Sequence, residues 1–119
     1  GDYLAEDLYE DWCAGERERL KELCLSVLTK LASLYAASGQ YETAAHYCRK
    51  ALARDNCRES VYRDLMRYLW WSGHGPEAIR QYRLCQDVLE RELAIDPLPE
   101  TTRLYQHIVQ DLRAAQRKL

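Results

Sequence analysis

The sequence predicts an all-α protein: a right-handed stack of helix hairpins, opened by a short leading helix and closed by a C-terminal capping helix. Three observations lead there. Apolar residues recur at the 3.6-residue spacing of amphipathic helices along most of the chain. Glycine and proline number only 5 and 3 in 119 residues, too few for the turns of a many-stranded sheet. One helix–turn–helix pattern then returns 34 residues after its first appearance. The length suits a single domain over residues 1–119.

Each element has its own signal. Leu4, Leu8 and Trp12 recur every four residues and predict a short helix ending near Gly15. Leu20, Cys24, Val27, Leu28, Leu31, Leu34 and Tyr35 form a broad stripe that should stop at Gly39, a left-handed cap. Ala44, Ala45, Cys48, Ala51 and Leu52 stripe the next helix. Tyr62, Leu65, Met66 and Leu69 stripe a third, which should end at Gly73. Ala78, Ile79, Tyr82, Cys85, Val88 and Leu89 mark a fourth. Leu104, Ile108, Leu112, Ala115 and Leu119 mark the last, with Pro99 suited to its first turn. The one strand-like stretch, near Ile95, is too short to build a sheet.

Gly73 follows Gly39 by 34 residues, Ala78 follows Ala44, Leu65 follows Leu31 and Arg83 follows Arg49, while Leu69 takes the place of Tyr35. A 34-residue helix–turn–helix period is the signature of a tetratricopeptide array. The residue types suit it physically. Ala44 and Ala78 let the helices of a hairpin approach closely, and Ala51 and Cys85 do so at the other end. Gly39 and Gly73 turn the chain, and Tyr35, Tyr41 and Tyr82 fill the space between layers. Neither hairpin buries its apolar face alone; stacking them gives a continuous core.

Composition narrows the function. The net charge is −2, from 17 Lys+Arg and 19 Asp+Glu. That balance disfavours direct nucleic-acid binding by this chain, which needs a basic face. Residues 1–15 hold Asp2, Glu6, Asp7, Glu10 and Asp11 and no base, so the acid is concentrated at the start. The five cysteines, Cys13, Cys24, Cys48, Cys57 and Cys85, include no CxxC and no zinc spacing. They read as buried, reduced thiols of a cytoplasmic protein. The longest uncharged run, residues 31–41, is too short to span a bilayer. The opening "GDYL" has neither a Met nor a basic n-region, which suggests a piece of a longer chain without a signal peptide. His46, His74 and His107 lie on separate segments, and Ser72-Gly73-His74-Gly75 lacks the setting of a nucleophile turn. No catalytic residue, cofactor or metal is expected.

Three stretches resemble one family. "GDYLAEDLYEDWCAGERERL" looks like the opening of the bacterial transcriptional activator domain found in Streptomyces antibiotic regulatory proteins. "ESVYRDLMRYLWWSGHGPEAIRQY" is similar to its second repeat, and "LERELAIDPLPETTRLYQHI" to its closing segment. Asp11-Trp12, Glu16 to Leu20, Met66 and Asp96-Pro97 with Pro99-Glu100-Thr101 are the more specific parts. The resemblance implies an all-helical regulatory module beside an OmpR-like winged-helix DNA-binding domain that lies outside this chain. It departs at Leu98, where such sequences offer a small polar cap, so the last helix should start loosely. The tandem Trp70-Trp71 is a second departure.

The face expected to bind protein follows from the positions off the stripe of the third helix. Arg63, Arg67, Trp70 and Trp71 share one side at i, i+4, i+7 spacing, and Arg and Trp are enriched at binding hot spots. The alternative is a solvated arginine pair with one tryptophan, Trp71 for preference, completing the core. Partners expected are the protein's own winged-helix domain, RNA polymerase or a second copy. Two other functions fit the fold: a freestanding tetratricopeptide scaffold, and a signal-sensing domain with the groove as its pocket.

Overall fold

The computed structural model describes the backbone of residues 2–118 and the side chains of residues 7–118. Leu4 and Leu119, two of the expected stripe positions, therefore lie outside the described side chains. Five helices follow one another: α1 (Asp2–Ala37), α2 (Tyr41–Arg54), α3 (Glu59–Trp71), α4 (Gly75–Leu93) and α5 (Pro99–Arg117). Among the described residues there is no strand, including around Ile95. Each helix packs on the next in sequence, and α5 also reaches back to α3. The fold is all-α and tetratricopeptide-like.

The repeat is reproduced in its hydrogen bonds. At the first turn Gly39 takes φ +79° and the Gln40 N–H donates to the Tyr35 carbonyl at 2.9 Å. At the second, Gly73 takes φ +86° and the His74 N–H donates to the Leu69 carbonyl at 2.7 Å. Donor and acceptor of the second bond each lie 34 positions beyond their counterparts in the first. A β-carbon would be strained at either φ, which is why glycine stands there. Ala44, Ala51, Ala78 and Cys85 are all 0% exposed, so the crossings hold nothing larger than a methyl or a thiol. Tyr35 stacks on Tyr47 at 5.5 Å, and Tyr82 on Tyr105 of α5 at 4.2 Å. The first pair lies within the first hairpin; Tyr41, against Tyr68 and Trp71 of α3, and Tyr82, against α5, fill the space between layers and leave the capping helix packed as a further layer.

The separate leading helix does not form. Residues 2–37 make one continuous helix of 36 residues that passes straight through Gly15. An internal glycine costs a helix only about 1 kcal/mol. Gly15 keeps a negative, helical φ, and the strong helix formers of residues 16–22 that follow it offset that cost. The Arg19 guanidinium adds a 2.7 Å bond to Glu16 one turn back.

The α1 stripe also divides. Leu25 and Ala32 are buried against α2, with Leu28 and Tyr35 packed beside them. Leu20, Val27 and Leu34, read from the sequence as part of that face, are more than half exposed. At 1.5 Å per residue α1 is roughly 54 Å long, and the 14 residues of α2 cover only about 21 Å of it. The N-terminal half of α1 projects beyond the stack, and the molecule measures 75 × 34 × 17 Å.

Candidate protein-interaction face

The third helix carries the four residues singled out for binding, and the structure divides them between two surroundings. Arg63 belongs to the junction of α3 with α5. Its Nη1 donates to Thr101 Oγ1 at 3.0 Å, and Glu59 and Glu100 both lie 3.7 Å from the guanidinium. Trp70 also turns toward α5: its indole N–H donates to Asp111 Oδ2 at 2.7 Å and its ring lies 6.1 Å from His107. Arg67 stays half-exposed, 3.2 Å from Asp64 of its own helix. Burial raises the Asp64 carboxyl above its usual range, and the neighbouring guanidiniums of Arg67 and Arg63 oppose that rise. Trp71 is 51% exposed and leans on Tyr41 at 5.7 Å and Tyr68 at 6.2 Å. The expectation that Trp71 completes the core is therefore reversed. Trp70 is the tucked-in member of the pair, because position 70 faces α5 while position 71 points past the α2 turn.

What remains accessible is a polar and aromatic patch of Arg67, Trp71 and Tyr41 on the side where α2 and α3 meet. Of the repeat positions, Ala44, Ala51, Ala78 and Tyr82 are buried between helices, and Gly39 and Gly73 make the two turns.

A polar cluster missed by local sequence reading anchors α5. Glu59 Oε2 accepts the Leu98 backbone N–H at 2.7 Å and also accepts the Thr101 hydroxyl. Thr101 is 0% exposed, so its hydroxyl depends on these partners. As expected, Leu98 has no capping side chain; a carboxylate 39 residues earlier instead accepts the N-cap N–H, the bond made by the Glu of a capping box. A carboxylate at a helix N-terminus also meets the positive end of the helix dipole.

The thiols need a further correction. All five are free, but only Cys48 and Cys85 are buried; Cys13, Cys24 and Cys57 are half-exposed. Burial, the larger cause, pushes the Cys48 and Cys85 thiols up to about 12, with Asp64 and Glu59 respectively adding to the rise. Among the described residues no group of His, Cys, Asp and Glu is arranged to hold a metal, and no helix is long and apolar enough to cross a membrane. The clefts between helices are open and of mixed polarity. That between α2 and α4, about 420 Å³, is lined by Leu52, Tyr62, Leu84 and Val88 beside Arg49 and Arg91.

Stacked helix pairs closed by a capping helix define the class, a scaffold that presents surfaces. The bacterial transcriptional activator domain model matches residues 1–109, and the chain belongs to that family. The match spans the projecting half of α1, both hairpins and the first half of α5. No match was found among curated proteins or among solved structures. The chain is accordingly a transcriptional activator module, from a family of regulatory domains.

Proposed function

We propose that this module controls transcription through protein contacts, beside an OmpR-like winged-helix domain in a regulator of the Streptomyces antibiotic regulatory type. The observation that carries the reading is the family match over residues 1–109 of a stacked-helix scaffold. It acts without catalysis or cofactor, in the cytoplasm, and does not itself select a DNA sequence. Its contacts are with the winged-helix domain, with RNA polymerase or with a second copy. Arg67 and Trp71 are the accessible members of the face on α3, and aromatic and arginine side chains suit a contact that is polar at its rim and apolar at its centre.

The test is made in the full-length regulator. Arg67→Gln with Trp71→Ala keeps a donor beside Asp64 and leaves the buried core untouched. The expected result is operator binding at the wild-type level with reporter activation at least several-fold lower. Full activation by the folded variant removes this face from the mechanism. A mobility shift in which residues 1–119 alone select a DNA sequence overturns the protein-contact reading itself.

A further inference from the structure

The side of α1 turned away from α2 carries an apolar stripe of its own. Tyr9, Trp12, Leu20, Leu23, Val27 and Leu34 are 51–66% exposed. With 3.6 residues per turn they fall within an arc of roughly 80° on the far side of the helix from the buried Leu25 and Ala32. The spacing of Leu20, Leu23, Val27, Lys30 and Leu34 alternates three and four, the coiled-coil pattern, and extends backward through Glu16, Cys13 and Tyr9. These six side chains expose on the order of 600 Å². Interrupted by Glu16 and Lys30, the stripe is not one continuous apolar patch, but its summed area approaches the ~800 Å² each partner contributes to a stable interface.

We propose that this stripe pairs with the same stripe of a second copy, the two α1 helices running antiparallel. The proposal deepens the reading above by naming one of its partners. The symmetry of the sequence selects the direction. With the two-fold axis beside residues 21 and 22, Leu20 meets the second copy's Leu23, and Tyr9 meets its Leu34. Val27 then covers the stem of the second copy's Glu16. Lys30 of the second copy falls opposite Cys13, one layer from Glu16 and one turn from Glu10. A parallel pair instead sets Glu16 on Glu16, Lys30 on Lys30 and the acidic residues 1–15 on each other, so like charges oppose along the seam. The antiparallel arrangement also lets each projecting half of α1 lie along the other copy's α1, covering apolar surface that its own chain leaves bare.

Sedimentation equilibrium of the 119-residue chain at tens of micromolar should give a dimer. Leu20→Glu with Leu23→Glu should give a monomer with unchanged helix content and an intact hairpin core, since both side chains point to solvent within one chain. Direction is read by zero-length carbodiimide coupling in a mixture of ¹⁴N- and ¹⁵N-labelled chains. Mixed-isotope Lys30–Glu16 or Lys30–Glu10 peptides are expected. Within one helix Lys30 and Glu16 are about 21 Å apart and cannot couple. A wild-type monomer, or a double variant that remains a dimer, overturns the interface; a dimer without those mixed peptides overturns the antiparallel pairing. None of these outcomes bears on the activation assay, so the functional reading stands or falls separately.

Discussion

Glu59→Ala tests how the capping helix is held. The substitution removes the acceptor of the Leu98 N–H and of the buried Thr101 hydroxyl, and deprives Arg63 of the less exposed of its two carboxylates. Loss of an N-terminal cap costs about 1 kcal/mol. A buried hydroxyl that loses its acceptor costs roughly 1–3 kcal/mol more. Glu59 and Arg63 expose only 12% and 14% of their side chains, so water replaces these bonds poorly. The sum is about 2–4 kcal/mol, which for a domain of this length lowers the melting temperature by roughly 10 °C. Thermal and urea unfolding followed by circular dichroism measure it. Thr101→Val provides the second edge of a double-mutant cycle, with an expected coupling of about 1 kcal/mol or more. Glu100→Ala is the control: its side chain is 58% exposed, and it should change stability by less than about 0.5 kcal/mol. A Glu59→Ala protein that melts with the wild type, or a cycle with no coupling, refutes the capping argument. The same geometry predicts that Arg63→Glu destabilises, because it gathers three carboxylates at one junction.

Three other outcomes are expected. Ala44→Leu and Ala78→Leu each force a larger side chain into a crossing with no exposed surface and should each cost roughly 1–3 kcal/mol in urea unfolding; wild-type midpoints for both contradict the close-crossing role. Alkaline pH should weaken the fold. Burial raises Cys48 and Cys85 from 9.0, and Tyr62 and Tyr68 from 10.0, to about 12 in every case. A group whose pKa is higher folded than unfolded gives stability that is complete below the unfolded value and lost as pH rises toward the folded one. The urea midpoint should therefore fall steadily between pH 9 and 12, and a flat profile from pH 8 to 11 contradicts it. Reagent labelling near pH 8 should reach Cys13, Cys24 and Cys57 well before Cys48 and Cys85.

Much of this architecture was written in short-range pattern. Gly39 and Gly73, Ala44 and Ala78, and the stripes of α2 to α5 are local in kind: a turn needs a positive φ, a crossing needs a small side chain, and a buried face needs a period of 3.6. Each can be read a few residues at a time, and the 34-residue return ties them into one stack. Family membership was legible for the same reason, since its motifs are contiguous runs.

Other features were settled only when distant segments met. Gly15 carries the same signal as Gly39, yet it stays helical because no other element requires the chain to turn there. Arg63 and Trp70 look like surface residues of α3 until α5 arrives with Thr101 and Asp111. Leu98 looks like a missing cap until Glu59 supplies one from 39 residues away. Periodicity reports that α1 is apolar, but not on which side its neighbour lies. Only the position of α2 separates Leu25 and Ala32, which it buries, from Leu20, Leu23 and Val27, which it leaves to water. Helix propensity and turn chemistry act through neighbouring peptide units, and so the sequence determined them; partners and burial depend on side chains brought together across the fold, and these the tertiary structure decided.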